Sequence, residues 1–521
     1  MTIFETQTLN RLDELIQLKG QQQSGGGQDR IQAQHDKGKL TARERIDLFL
    51  DPGSFEEIDS FVLHTCSHFK MNEQRYLGDA VIAGYGTVNG RQTFVFAQDF
   101  TVFGGTLSVA SAGKICKLMD LAGKAGAPMI GLLDSGGARI QEGVDSLAAC
   151  GEIFARNTRY SGVIPQISVI MGPCAGAAVY SPGLTDFIFM VKGIGQMYIT
   201  GPNVIKSVTG EDVTFEQLGA ASVHSTKSGN CHFVAEDEQE CLMMVRRLLG
   251  FLPQNNRENP PSADIAAGTD MPDEELLSIV PADSHRSYDM KKVLERIVDS
   301  GDLMEVHAGF GQSMITAFAR LGGKSAGIVA QQPKFGAGAI TVDSADKAAR
   351  FVRFCDCFNI PIVTLVDVPG YMPSVEEEYK GIIRHGAKLL FAYSEATVPK
   401  ISLILRKAYG GAYVAMSSKS LRTDINYAWP GAEIAVMGPM GAINILFRNK
   451  MKMSDDPEGT RRKLVEEYTT EFANPYVAAS NGHLDDVIDP RLTRSKLIKA
   501  LKLLENKTDT NPPKKHGNIP L

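Results

Sequence analysis

The sequence predicts two related α/β domains, each built around a sheet of mainly parallel strands. Three observations favour this class: apolar runs without polar alternation, helical segments rich in small apolar residues between them, and a repeat of the whole pattern. Strands that are apolar along their whole length are typical of parallel sheets covered by helices on both faces. A chain of 521 residues also exceeds what one hydrophobic core normally organises.

The repeat emerges when the sequence is shifted by 233 positions, which aligns Val95–Gly137 with Ile328–Gly370 without a gap. The shared residues include a glycine, a proline and an aspartate at predicted element ends. A shift of 234 positions then aligns Ile164–Ala178 with Val398–Ala412. The same structural unit therefore occurs twice in the chain.

Each unit has the same predicted order of elements. A strand (Thr93–Ala97 or Ala326–Ala330) leads into a glycine-rich loop, and a helix (Ser108–Ala125 or Thr341–Phe358) follows. A proline then opens a second strand, "PMIGLLD" or "PIVTLVD", which ends at an aspartate. Another helix leads to a third apolar strand and to a turn rich in glycine and alanine. Ligands of open α/β sheets bind at the carboxyl ends of strands, so these turns are the candidate site.

A polar, proline-containing stretch, "QNNRENPPSADIAAGTDMPDEE" at residues 254–275, separates the two units. Such composition predicts a linker. We therefore expect an N-terminal domain over residues 1–258, a linker over 259–275 and a C-terminal domain over 276–521. The C-terminal tail is expected to be either an oligomer contact or disordered.

The composition argues against several classes of protein. A net charge of −6 and the lack of a basic cluster do not support nucleic-acid binding. No apolar run reaches the roughly 20 residues of a membrane helix. The eight cysteines form no CxxC pair, so we expect no metal site. Free cysteines and an N-terminus without a secretion signal predict a cytoplasmic protein.

The two glycine- and alanine-containing turns carry the predicted chemistry. Gly176 and Ala177 follow the third predicted strand of the first unit, and Gly411 and Ala412 follow that of the second. Main-chain N–H groups near a helix start can hold a developing oxyanion, with the helix dipole assisting. A tight strand-to-helix turn that binds nothing is the alternative. Two such turns on duplicated domains favour two carbonyl groups activated together.

Several motifs, among them "FGGTLSVASAGKICKLMDLA", "DSGGARIQEGV", "GPCAGAAVYSP" and "AYGGAYVAMSSK", resemble the carboxyltransferase subunits of biotin-dependent acyl-CoA carboxylases. The resemblance is closest to propionyl-CoA carboxylase β and methylmalonyl-CoA decarboxylase α subunits, and runs from about Lys39 to the C-terminus. It implies two tandem crotonase-like (ClpP/crotonase) domains per chain. It also implies a homohexamer whose site lies at a dimer interface, with acyl-CoA on one subunit's N-terminal domain and biotin on another's C-terminal domain.

The resemblance assigns roles to particular residues. Gly176 and Ala177 would hold the thioester oxyanion, where the family has two glycines, and Gly411 and Ala412 would hold the ureido oxygen of biotin. Two further sets follow: an acyl-CoA-binding set of Gly104, Gly105, Gly136, Gly137 and Arg139, and a biotin-pocket and specificity set of Tyr409, Gly410 and Val414. Plain turn glycines at Gly104 and Gly105, and a surface ion pair at Arg139, are the alternatives.

The implied reaction moves a carboxyl group between carboxybiotin and the α-carbon of a short-chain acyl-CoA through an enolate. Propionyl-CoA and methylmalonyl-CoA are the expected pair. The implied partners are a biotin carboxyl carrier protein with a biotin carboxylase subunit, or the membrane subunits of a sodium-pumping decarboxylase. Val414 favours the latter or a longer-chain carboxylase, since propionyl-CoA carboxylases commonly have Asp there.

Biotin is expected on a partner rather than on this chain. "MKM" at Met451–Met453 resembles the centre of a biotin attachment motif, but its flanks predict helices rather than a hairpin. Two rival functions remain open. A crotonase-type hydratase or isomerase would need positioned carboxylates, for which Glu142 and Glu152 are the candidates, and a non-catalytic scaffold would need none.

Overall fold

A computed structural model describes residues 3–264 and 271–521. The chain divides into two compact units, one formed by residues 1–250 with 254–256 and the other by 251–253 with 257–521. The described parts of the predicted linker, residues 259–264 and 271–275, group with the second unit. The linker residues 265–270 lie outside the described residues.

The first unit is an eight-stranded sheet with helices packed against it. Its strands are β1 (Glu56–Ile58), β2 (Val81–Val88), β3 (Arg91–Gln98), β4 (Met129–Ser135), β5 (Gln166–Ala175), β6 (Phe187–Val191), β7 (Gln196–Tyr198) and β8 (Phe233–Ala235). Its helices are α1 (Ile3–Gln23), α2 (Gln28–His35), α3 (Ala42–Phe49), α4 (Val109–Ala125), α5 (Val144–Tyr160), α6 (Tyr180–Leu184), α7 (Pro202–Thr209), α8 (Phe215–Gly219), α9 (Ala221–Thr226) and α10 (Glu238–Phe251). The strand order is β1-β2-β3-β4-β5-β6-β8, with β7 also paired to β5.

The second unit repeats this architecture. Its strands are β9 (Leu303–Val306), β10 (Met314–Leu321), β11 (Lys324–Gln331), β12 (Ile362–Val368), β13 (Lys400–Tyr409), β14 (Ile425–Ala428), β15 (Glu433–Ala435) and β16 (Asp486–Val487). Its helices are α11 (Leu276–Ile279), α12 (Met290–Ile297), α13 (Val342–Cys357), α14 (Val375–Lys380), α15 (Ile382–Glu395), α16 (Gly410–Ala415), α17 (Pro439–Leu446), α18 (Arg448–Lys452), α19 (Pro457–Glu471), α20 (Pro475–Ser480) and α21 (Thr493–Leu503). The order is β16-β14-β13-β12-β11-β10-β9, with β15 paired to β13.

The predicted α/β class with duplicated sheets and parallel strands in each repeated unit is confirmed. Strands β3, β4, β5, β6 and β8 run parallel, as do their counterparts in the second sheet. Each sheet begins with antiparallel strands that were not predicted from the sequence, and in the first sheet β2 and β3 form a hairpin. Asn89 and Gly90 make its turn, both with left-handed φ values (51° and 73°).

The helix that follows the first glycine-rich loop is capped in the same way in both units. The Ser108 hydroxyl accepts from the Ser111 N–H at the start of α4, and the Thr341 hydroxyl accepts from the Ser344 N–H at the start of α13. Each helix buries an apolar face on its sheet. These helices begin at the loops that surround the candidate site, so the caps fix where those loops end.

Candidate active site

The first candidate turn lies where β5 ends. Gly176 opens a single 3₁₀ turn over Gly176–Val179 and has a left-handed φ of 62°. Ala177 is not among the residues with positive φ, so a side chain is tolerated there. The first N–H groups of such a turn have no acceptor within it. The alanine that replaces the family's second glycine therefore keeps a usable main-chain donor.

The second candidate turn joins β13 directly to α16. Gly410 has a φ of 60° and is the structural counterpart of Gly176, since each is the first residue after the third strand. The predicted donors Gly411 and Ala412 thus lie one residue later than Gly176 and Ala177. Both still belong to the first turn of α16, where N–H groups have no intrahelical acceptor.

Both turns have open space beside them. A Cβ placed on Gly411 would meet no atom within 4 Å, and one on Gly176 would meet only the Ile199 carbonyl oxygen at 3.9 Å. The space beside Gly176 and Gly411 is therefore not filled by other parts of the chain.

The four glycines predicted to bind acyl-CoA lie together beside the first turn. The Gly136 N–H donates to the Gly104 carbonyl oxygen at 3.0 Å, which joins their two loops. Gly137 has a φ of 107°, and a Cβ there would lie 2.8 Å from the Ala175 carbonyl oxygen, one residue before Gly176. A Cβ on Gly105 would overlap the carbonyl oxygen at the end of β4. Close backbone approach requires glycine at Gly105 and Gly137.

Arg139 lies inside the first unit. Its side chain is 1% exposed, and its guanidinium lies 2.9 Å from the Asp79 carboxylate and donates to the Thr106 carbonyl oxygen at 3.2 Å. The guanidinium also lies 4.7 Å from the centre of the Phe103 ring. The alternative of a surface ion pair is therefore wrong. From its buried position, Arg139 binds the backbone of the glycine-rich loop that precedes α4.

The predicted biotin-pocket residues surround the start of α16. Tyr409 is buried at the end of β13, and its hydroxyl donates to the Glu433 carboxylate on β15. Burial raises the pKa of Tyr409, and the Glu433 hydrogen bond raises it further, so the phenol stays protonated. Gly410 approaches the Val436 carbonyl oxygen, and Val414 is half-buried on α16. Sequence reasoning missed Glu433 because it lies on a separate strand.

A buried cluster of four charges lies behind the first turn, and we did not predict it. The Asp134 carboxylate lies 2.6 Å from the Lys39 ammonium and 3.0 Å from the Arg45 guanidinium. Arg45 also lies 2.6 Å from the Glu238 carboxylate and donates to the Met171 carbonyl oxygen at 3.0 Å. These four charged side chains are between 1% and 7% exposed. Burial lowers the pKa of Lys39, and the neighbouring aspartate opposes that shift.

The second unit has a simpler equivalent around Asp367. The Arg406 Nε donates to the Asp367 carboxylate at 3.0 Å, and the Lys407 N–H donates to it at 3.1 Å. The Arg406 guanidinium lies 5.0 Å from the centre of the Tyr288 ring. Burial raises the pKa of Asp367, and Arg406 opposes that shift. Near this aspartate, as near its counterpart on β4, the register of the neighbouring strands shifts.

The carboxylates considered for a hydratase have other partners. Glu142 accepts the Val109 N–H at 2.7 Å and lies 3.6 Å from Arg139. Glu152 is 69% exposed on α5 and pairs with Arg156 at 2.8 Å. Within the described residues, no group of three His, Cys, Asp or Glu side chains could hold a metal ion. Within the same residues, no helix is both long and apolar enough to span a bilayer.

The profile of the carboxyl transferase domain matches residues 33–519. The chain belongs to the carboxyl transferase family. It is 56% identical to the propionyl-CoA carboxylase carboxyltransferase subunit of Haloferax mediterranei, across 98% of this chain and 99% of that protein. It is 55% identical, with the same coverage, to the methylmalonyl-CoA decarboxylase subunit alpha of Propionigenium modestum.

Solved structures of the carboxyl transferase family share the fold. The transcarboxylase 12S crystal structure, a hexamer assembly with methylmalonyl-coenzyme A and methylmalonic acid bound, matches with a TM-score of 0.96 and 51% identity over 98% of both chains. A single-chain, multi-domain long-chain acyl-CoA carboxylase matches with a TM-score of 0.81 and 26% identity, over 94% of this chain and 50% of that one. The predicted family, the two crotonase-like domains and the carboxyltransferase activity are confirmed.

Proposed function

We propose that this carboxyltransferase moves a carboxyl group between carboxybiotin and the α-carbon of propionyl-CoA, with methylmalonyl-CoA as the carboxylated partner. The observation that carries the proposal is the pair of equivalent turns, one per repeat, each with main-chain donors beside open space. One turn suits a thioester oxygen and the other a urea oxygen. Relatives named for propionyl-CoA and methylmalonyl-CoA support this substrate pair.

On the acyl-CoA side, the Gly176 and Ala177 N–H groups hold the thioester oxygen as negative charge develops on it. Donors fixed before the reaction stabilise that charge without reorganisation, and each contributes roughly 100- to 1,000-fold in rate. The glycine loops at Gly104–Gly105 and Gly136–Gly137 line the CoA site because their backbones pack beside this turn. Enolate formation in this scheme uses no side-chain nucleophile of the protein.

On the biotin side, the Gly411 and Ala412 N–H groups hold the ureido oxygen. Biotin, when bound, supplies the carboxyl group and a ring nitrogen that takes the α-proton. The space beside Gly411, where a Cβ would meet no atom within 4 Å, would leave room for the ureido group beside these donors. Tyr409, Gly410 and Val414 shape the pocket around the ring. The two bound reactants are held close together, which supplies much of the acceleration.

We propose that biotin reaches this site on a separate carrier protein. Attachment lysines occupy hairpin tips, whereas Lys452 ends helix α18, so the helix predicted around "MKM" is confirmed. The partners would be a biotin carboxyl carrier protein and a biotin carboxylase subunit. The eight cysteines are free thiols, which supports a reducing location such as the cytoplasm.

We also propose a homohexamer in which the N-terminal domain of one subunit and the C-terminal domain of another share each site. The 12S relative was solved as a hexamer assembly, which supports this arrangement. Light scattering on the purified protein should give about 340 kDa, six times the 56.5 kDa of the chain. A stable active monomer would refute the shared site.

Decarboxylation of methylmalonyl-CoA is the second candidate for the physiological direction. Val414 favours it, since an apolar residue at this position resembles the decarboxylase α subunits. The Propionigenium modestum relative carries that activity in its name. Membrane subunits of a decarboxylase would then be the partners in place of a biotin carboxylase.

The test uses purified protein, methylmalonyl-CoA and free biotin, with propionyl-CoA formation followed by chromatography. We expect turnover that saturates with both compounds and stops when biotin is omitted. Crotonyl-CoA, a substrate for a hydratase, is assayed in parallel. Hydration of crotonyl-CoA without carboxyl loss from methylmalonyl-CoA would overturn the proposal, and inactivity on both would favour a scaffold.

A further inference from the structure

The two repeats take the arginine partner of the strand-end aspartate from different positions. Helices α3 and α12 are equivalent, because both are capped at their first turn and both precede the first strand of their sheet. Arg45 and Val293 each lie four residues after the cap of these helices. In the second repeat the arginine is Arg406 on β13, and the equivalent position on β5 is Gly172.

Gly172 makes room for the arrangement in the first repeat. A Cβ at this position would overlap the Asp134 carboxylate. The carboxylate therefore lies against Gly172 on β5, where it contacts the Arg45 side chain from α3. In the second repeat the arginine, Arg406, lies on the strand itself, and the equivalent helix position is the apolar Val293. The ion pair is kept in both repeats although its cation has moved.

Each arginine also binds main-chain oxygens near its aspartate. Arg45 donates to the Met171 carbonyl oxygen on β5, five residues before Gly176. Arg406 donates to the carbonyl oxygens of Asp283 and Arg286, in the segment that precedes α12. A planar guanidinium can join a carboxylate and a carbonyl oxygen in fixed directions, which an ammonium cannot do. Each guanidinium therefore ties its aspartate to a second stretch of backbone, β5 for Arg45 and the segment before α12 for Arg406.

Stability alone is a poor reason for such a cluster. Replacing a buried ion pair with well-packed apolar side chains is often neutral or stabilising. Around Asp134 the two cations and two anions balance, so their burial is tolerated rather than needed for the core. A pair retained in both repeats, with its aspartate near the end of the strand next to the one that leads into the donor turn, points to a geometric role.

We propose that Arg45 and Lys39, acting through Asp134, are positioning residues for the thioester-binding turn, and that Arg406, acting through Asp367, is the positioning residue for the biotin-binding turn. The aspartate fixes the shift between neighbouring strands, and the cation fixes the aspartate. The N–H groups of each turn are thereby aimed at the ligand oxygen. This inference rests on the proposed carboxyl transfer, because it assigns these residues to that reaction.

The test compares Arg45→Lys with Arg43→Lys in the methylmalonyl-CoA and free-biotin assay. Arg43 lies on the same helix and pairs with Glu57 at 2.9 Å, but its side chain is 26% exposed. Arg45→Lys keeps the charge and loses the fork that joins Asp134 to the β5 carbonyl oxygen. Because small misplacements of reacting groups cost up to about 100-fold, we expect kcat to fall about 10- to 100-fold. The KM for methylmalonyl-CoA should stay within about twofold, and the control should keep kcat within about twofold.

Thermal unfolding is measured in parallel, and rates are taken well below the unfolding midpoint. A purely structural role predicts a lower midpoint with unchanged kcat per folded molecule, and that outcome would overturn the inference. If Arg45→Lys does not fold, Lys39→Met is assayed instead, since it leaves Arg45 on Asp134. We expect it to lower kcat about threefold or more, and an unchanged kcat would overturn the inference. An inactive wild type would overturn the proposed function itself.

Discussion

Replacing Ala177 with proline removes one main-chain donor from the thioester-binding turn. A residue within a right-handed 3₁₀ turn has a φ close to the value that proline imposes. Its N–H is not used by the turn itself, so no intrahelical hydrogen bond is lost. The preceding Gly176 has no Cβ, which removes one of the two steric clashes that proline makes with its neighbour. Ala177→Gly, which keeps the N–H, is the matched control.

The expected magnitude follows from the two donors of this turn. Loss of one oxyanion donor typically costs roughly 100- to 1,000-fold in kcat, or about 2.7 to 4 kcal/mol of transition-state stabilisation. Ground-state binding of the CoA moiety does not depend on this N–H, so KM should change by less than about threefold. Ala177→Gly matches Gly411 in the second repeat and should keep kcat within about threefold.

The assay is methylmalonyl-CoA decarboxylation with saturating free biotin, measured beside the thermal unfolding of each variant. The free energy of unfolding of Ala177→Pro should change by less than about 1 kcal/mol, since no hydrogen bond within the turn is removed. The reasoning would be refuted by a folded Ala177→Pro protein with a wild-type kcat. A raised KM at constant kcat would also refute it, since the donor would then bind substrate and transition state equally.

Three other predictions concern the pocket, the loops and acid stability. Tyr409→Phe removes the hydroxyl that donates to Glu433, so the KM for free biotin should rise about 3- to 10-fold while the KM for methylmalonyl-CoA stays constant. Equal changes in the two KM values would contradict a role on the biotin side. Gly105→Ala should lower the free energy of unfolding by more than about 2 kcal/mol, because a Cβ there would overlap backbone, whereas Gly104→Ala should lower it by about 1 kcal/mol. Denaturant titration measures both values, and equal losses would contradict this prediction. Burial raises the pKa of Asp299, but two main-chain N–H groups and an arginine outweigh it and hold the pKa below its ordinary value. The stability that ionised Asp299 gives is therefore present above about pH 4 and lost as pH falls. Asp299→Asn should make the thermal unfolding midpoint depend less on pH between about pH 5 and 2. An unchanged dependence on pH would contradict this prediction.

The strands around the site were predictable because each is apolar throughout and ends at a glycine or aspartate. The antiparallel start of each sheet was missed although Asn89-Gly90 is a hairpin signal between two strand-forming runs. The continuous apolar pattern from Val95 onward indicates the parallel strands, but the strand that precedes this turn lies outside that pattern. The Asn89-Gly90 turn indicates the antiparallel start of the sheet, and the apolar strands indicate its parallel part.

The positions of the donor turns were predictable from the repeat, but their geometry was not. Only the backbone shows that Gly176 and Gly410 carry the left-handed φ while Ala177 does not. The charge cluster behind the first turn gave no sequence signal, because its members come from α3, β4, α10 and the segment before α3, and no fixed spacing relates them. The burial of Arg139 could not be predicted for a similar reason, since its partner Asp79 is 60 positions away.

The relocated arginine bears on how homologues of this chain vary. Substitutions at position 45 and at position 172 should be correlated, because an arginine on the strand removes the need for one on the helix and fills the space that the glycine keeps open. A family member with arginine at both positions would place a third cation, beside Lys39 and Arg45, against the two carboxylates of this cluster and would have to recruit a further anion. Engineering that grafts one half of the protein onto the other must therefore move the helix and strand positions together.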